Sequence, residues 1–246
     1  MKFSYLDIVL WISDATLALL ALVALIRTRQ ARNWPFLCAF LVIFAGSEIA
    51  QAIAIQAGYR VYFYVYWIDA GLKYAAQFGV LYEVCSSVLK TFPYIPKSFS
   101  KLLATLVVIA ALTGIAVSMN TATSFSDLLL TLFVGMQRTA LMAWCAAFIA
   151  CAIATSRLGL GWPSNSILIG GGAAAMNSAG MIASVLFGIL SIHRATEVDH
   201  VQSAVNIAVL FLWSACPRTE SDKAYLPNAE TVESVKAIAK STLGSW

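Results

Sequence analysis

Asp69 and Lys73 stand four residues apart inside a long apolar stretch, Tyr59 to Lys90, and Tyr62, Tyr66 and Gln77 continue their spacing. At about 100° per residue these five side chains form one polar stripe on a helix. An acid four residues before a lysine is the favourable order for an ion pair along a helix. If the stretch crosses a bilayer, each ionised side chain costs roughly 2.5–3.5 kcal/mol at mid-depth, so the pair must face protein or water. The chemistry open to such a stripe is ion pairing, binding of a charged ligand, or proton exchange.

Other polar groups fall inside other apolar runs: Asp14, Glu48, Gln51, Arg138, Asn177 and Asn206. With a rise of about 1.5 Å per residue, the ionisable members lie about 8–18 Å in from one boundary, at a shared depth between that boundary and the midplane. Asp14, Glu48, Gln51, Tyr66, Asp69, Lys73, Gln77, Arg138, Asn177 and Asn206 are therefore the candidate ligand-binding or ion-pair layer. It sets three acids against two bases. Asp69 pairs with Lys73 by spacing, Glu48 is the first choice of partner for Arg138, and Asp14 is left over. Asp14 is then protonated, or faces an external vestibule, or complements a cationic ligand. The alternative for the whole layer is a set of interhelical salt bridges that fix packing and nothing more.

The elements that must hold this layer follow from composition. The chain has 246 residues, 60% hydrophobic and 11% charged, where about a quarter charged is usual for a soluble domain. Apolar runs near 20 residues recur, each long enough to cross about 30 Å of hydrocarbon. The sequence predicts an all-α integral membrane protein, a seven-transmembrane-helix bundle over residues 1–217, with spans near 6–26, 35–56, 61–89, 102–119, 127–155, 164–190 and 201–216. Residues 218–246 are expected to be a hydrophilic cytoplasmic tail with a short amphipathic helix. The first run carries Asp7 and Asp14 and no small-residue cleavage pattern follows it, so it reads as a retained helix. Lys and Arg gather at one set of span ends, among them Arg27, Arg29, Arg32, Lys97, Lys101 and Arg157, against Lys2, Arg60 and Arg194 at the other. By the positive-inside rule the N-terminus is out and the C-terminus in, in a cytoplasmic (inner) membrane.

Several classes of function are disfavoured. The basic residues sit at span ends without interleaved aromatics, so no nucleic-acid partner is expected at a net charge of +4. Cys38, Cys85, Cys145, Cys151 and Cys216 have no metal-ligand spacing and read as packed free thiols. Histidine is absent from the expected spans, which argues against haem, and no cofactor is expected. No phosphate loop, GxSxG or HExxH is present, so no enzyme is expected. His193, Glu197 and His200 have the i, i+4, i+7 spacing of a weak metal site, in what reads as an outer loop. Glu83 is expected to pair with Lys90 at the inner interface, and Gly171, Ala175, Ala179 and Ala183 to form a small-residue packing seam.

In span count and orientation alone, the expected bundle resembles seven-helix receptors and the seven-helix sensor modules of some bacterial histidine kinases. The retinal-bearing lysine of microbial rhodopsins has no counterpart in 201–216. The leading expectation is a seven-helix, receptor-like signal transduction protein. It would bind a small-molecule ligand in its polar layer and act through a cytoplasmic or membrane protein partner. The second is a transporter or proton-coupled carrier, and the third a noncatalytic subunit of a larger membrane complex.

Overall fold

The computed structural model describes residues 5–88, 105, 125–157, 162–187 and 192–215. They form six α-helices: α1 (Tyr5–Arg27), α2 (Pro35–Ala57), α3 (Tyr59–Val88), α4 (Phe125–Arg157), α5 (Ser164–Phe187) and α6 (Ile192–Ala215), with a 3-10 turn at Gln30–Arg32. Each helix packs on the next in chain order, and α6 returns to α1, so the six close into a ring. Contacts between α3 and α5 cross its interior.

Two short connections set the register of the first three helices. After α1, Arg29 takes a left-handed backbone (φ 58°) that stops the helix, and the 3-10 turn leads to Trp34 and Pro35. Proline fits the first helical position because its missing N–H would have had no intrahelical partner there. Between α2 and α3 the link is Gly58 alone, at φ 111°, a value that a side chain disfavours and glycine accepts. A one-residue link folds α3 back along α2, which brings the two polar stripes face to face.

The interior holds Phe40, Leu41, Leu81, Val84, Trp144, Leu210 and Trp213, all buried. The outside is equally apolar: Ile12, Ile53, Ile68, Ile182 and Phe211 are exposed. Lipid tails are as apolar as leucine, so close packing has to hold such helices together. The ring shows where it does. A Cβ on Gly79 would stand 2.4 Å from the Phe36 ring, and one on Gly172 would stand 2.7 Å from the Trp213 indole nitrogen. Gly170 is pressed in the same way by Phe148 and Val84. Of the seam expected at Gly171, Ala175, Ala179 and Ala183, Ala183 is buried and Ala179 half-buried, while Gly171 and Ala175 are exposed and nothing lies within 4 Å of a Cβ on Gly171. Aromatic contacts continue this packing down α4, where Trp144 stacks on Phe148 at 5.4 Å and Phe148 meets Trp162 edge-on at 5.7 Å.

The expected seven-transmembrane bundle is corrected by this structure. Among the described residues there are six α-helices, and three are long and apolar enough to cross a membrane: Ile8–Arg27, Pro35–Ala57 and Ser164–Ser184. Two of the others carry charges along their length. α3 carries Arg60, Asp69, Lys73 and Glu83, and α6 opens with His193, Arg194, Glu197, Asp199 and His200. In α4 the apolar run among the described residues is Gln137–Ile153. Apart from Thr105, the span expected at 102–119 lies outside the described residues, as does the 218–246 tail. The seven-helix sensor reading falls with the seven-helix bundle. What stands is an all-α, multi-pass membrane protein with three candidate spans, associated with the bilayer through apolar helices.

Candidate functional site

The α2–α3 hairpin builds the site. On α2, Phe44, Glu48 and Gln51 share a face at spacings of four and three; on α3, Asp69 and Lys73 share theirs. Lys73 Nζ lies 2.9 Å from Asp69 Oδ2 and 3.3 Å from Glu48 Oε1. Gln51 Nε2 donates to the same Asp69 oxygen at 2.9 Å. Beneath the ammonium is the Phe44 ring, 4.7 Å from Nζ to the centroid, close enough for a cation–π attraction. One lysine therefore serves two carboxylates and one aromatic face. Asp69 is 7% exposed, and a buried ion pair is tolerated where extra hydrogen bonds satisfy it, as Gln51 does here.

α1 adds the third acid. Asp14 is 4% exposed and lies within electrostatic reach of Glu48 and Lys73. Its Oδ1 is buried and has no hydrogen-bond partner among the described residues. Glu48 and Asp69 thus pair with a single ammonium, and Asp14 lies within electrostatic reach of it. The three acids are nevertheless not placed to ligate a metal, since no group of three His, Cys, Asp or Glu among the described residues could hold one.

The rest of the expected layer is distributed around the ring. Arg138 does not pair with Glu48: its Nη2 donates to the Ser184 carbonyl at 2.5 Å, and its Nε is buried without a partner among the described residues. Gln77 follows Lys73 on α3; its backbone carbonyl accepts from Trp144 Nε1 at 2.9 Å, while its buried side-chain oxygen has no partner among the described residues. Tyr66 packs on Tyr62 at 6.1 Å and on Trp67 at 5.1 Å. Asn177 turns back on its own helix, donating to Ala173 O at 2.8 Å, and its Oδ1 has no partner among the described residues. Asn206 is half-buried on α6. The structure therefore brings together Asp14, Glu48, Gln51, Asp69 and Lys73, and leaves Arg138 and Asn177 to separate, local bonds.

His193, Glu197 and His200 lie on the opening turns of α6, not in a loop. Glu197 is exposed and His200 half-buried, and the His193 side chain lies outside the described ones. Cys38, Cys85, Cys145 and Cys151 are free thiols, with Cys85 and Cys151 close to each other across α3 and α4. Cys216 lies outside the described residues.

Sequence reasoning missed two functional contacts. Phe44 was open to discovery, because it precedes Glu48 by one helical turn. Glu83 was not legible as what it is, an 8% exposed carboxylate that accepts from the Phe36 N–H at 2.5 Å and the Leu37 N–H at 3.0 Å. Trp34 offers no capping side chain at the start of α2, and a carboxylate from α3 takes those amides instead. The expected partner, Lys90, lies outside the described residues.

No family model, no curated protein and no solved structure matches the chain.

Proposed function

We propose that this chain is a proton-binding membrane protein, in which the acidic cluster of α1, α2 and α3 takes up and releases a proton at Asp14. The observation that carries the reading is the charge balance: two carboxylates pair with one ammonium, and a third within electrostatic reach keeps a buried oxygen without a partner among the described residues. Uncompensated charge in a low-dielectric interior costs several kcal/mol per ion. A proton removes one such charge without needing a cavity or a ligand sphere. Lys73 is already engaged by Asp69 and Glu48, which leaves Asp14 as the group whose charge changes at least disturbance to the others.

The same reading places the protein in a cytoplasmic membrane, where a proton gradient gives such a group something to respond to. It assigns no catalytic step. The test is infrared difference spectroscopy of the full chain in lipid vesicles while pH is changed. A protonated-carboxyl C=O band that vanishes in Asp14→Asn and persists when the exposed Glu197 is changed to Gln is the expected result. Absence of any such band in the wild-type chain, or its survival in Asp14→Asn, would overturn the reading.

A further inference from the structure

The turn between α1 and α2 carries Arg27, Arg29 and Arg32, all exposed. Both flanking helices are long and apolar enough to span a bilayer, so this turn lies where the hydrocarbon gives way to headgroups. From Asp14 to Glu48 the intervening chain holds no acidic residue, and neither ion pair among the described residues uses these arginines. Arg29 is also the one non-glycine among the described residues with a left-handed backbone, a conformation that glycine or asparagine takes at lower cost.

Beside the turn is a cavity of about 20 Å³ where the ends of α1, α2, α5 and α6 meet. Gln30, Trp34 and Asn165 line it together with the apolar Leu25, Leu37 and Ile169. Asn33 Nδ2 donates to Gln30 Oε1 at 3.0 Å and holds that side-chain amide in place. The space suits a single oxygen-sized group with amides to bond it. Positive charge at headgroup depth, next to a small and mostly apolar notch with Gln30 and Asn165 among its lining residues, is complementary to one kind of molecule.

We infer that this corner binds the headgroup of an anionic phospholipid, with the phosphate at Arg29 and Arg32 and a headgroup oxygen at Gln30 and Asn165. Juxtamembrane arginines attract anionic lipid, and basic pockets between helices hold lipid headgroups. The site is separate from the acidic cluster and does not depend on proton binding.

The test is native mass spectrometry of the full chain released from micelles containing equal phosphatidylglycerol and phosphatidylcholine. The wild-type chain is expected to retain phosphatidylglycerol preferentially. The double variant R29Q/R32Q should weaken that retention about thirtyfold, the loss of two arginine–headgroup attractions. Arg60→Gln, an exposed arginine at the start of α3, should leave it unchanged. Raising salt on the wild-type chain should weaken retention as well, which tests the site without any substitution. Equal retention of the two lipids, or loss in Arg60→Gln to the same extent, would overturn the inference. Displacement by inorganic phosphate at the lipid's own concentration would also overturn it, by assigning the site to free phosphate.

Discussion

Glu83 Oε2 accepts the Leu37 N–H at 3.0 Å, so a carboxylate on α3 closes the amide end of α2. Its other oxygen takes the neighbouring Phe36 N–H. The first amides of a helix have no intrahelical acceptor, and the dipole there favours negative charge. Glu83→Ala leaves two donors unsatisfied and should cost about 2–4 kcal/mol. Glu83→Gln keeps one acceptor and should cost roughly half as much. Denaturant unfolding in detergent, followed by circular dichroism, separates the two.

The shared lysine predicts a strong asymmetry. Lys73→Met leaves Asp69 and Glu48 buried without their cation and should cost about 3–5 kcal/mol. Adding Glu48→Gln and Asp69→Asn to the same chain should recover most of that loss, because neither former partner of Lys73 is then left as an uncompensated charge. A triple variant as unstable as Lys73→Met alone would contradict the geometry of the site. The same unfolding assay reads both.

Asp14 should behave in the opposite way to Lys73. Its Oδ1 has no partner among the described residues, so Asp14→Asn removes a charge and breaks no bond seen there. It should leave stability within about 0.5 kcal/mol of the wild type or raise it. A cost of several kcal/mol would show that the ionised carboxylate is needed for the fold.

Two glycines on α3 should respond with opposite signs. Gly79→Ala drives a methyl into the Phe36 ring and should destabilise by about 1–3 kcal/mol. Gly71→Ala meets nothing within 4 Å and should stabilise by about 0.5–1 kcal/mol, the usual gain of alanine over glycine within a helix. Thermal melting of the two variants side by side is sufficient.

The polar stripe on α3 was readable in the sequence because helical spacing alone puts Asp69, Lys73 and Gln77 on one face. The all-α class and bilayer association followed from composition. What spacing does not carry is the partner on another helix. Glu48 belongs to Lys73 because Gly58 folds α2 onto α3 at a particular register, and Arg138 is left with the Ser184 carbonyl. The small-residue seam departs from expectation at Gly171 and Ala175 for a similar reason. Small residues fill the whole stretch around Gly170–Ala175, and the sequence does not say which of them a tryptophan will press against. The seven-span count gives way to three candidate spans among the described residues, where α3 carries Arg60, Asp69, Lys73 and Glu83 along its length and the stretch at 102–119 lies outside the described residues apart from Thr105.

The closure of the ring between α1 and α6 also orders events in time. A chain made from its N-terminus completes α1 first and α6 last among these six helices. The α2–α3 hairpin, joined by one residue, can pair as soon as both helices exist. α1 must keep the face it later gives to α6 open until α6 itself has been synthesised. During that interval the newborn protein is an open arc with two unsealed ends, and a chaperone of membrane insertion would find its binding face on α1.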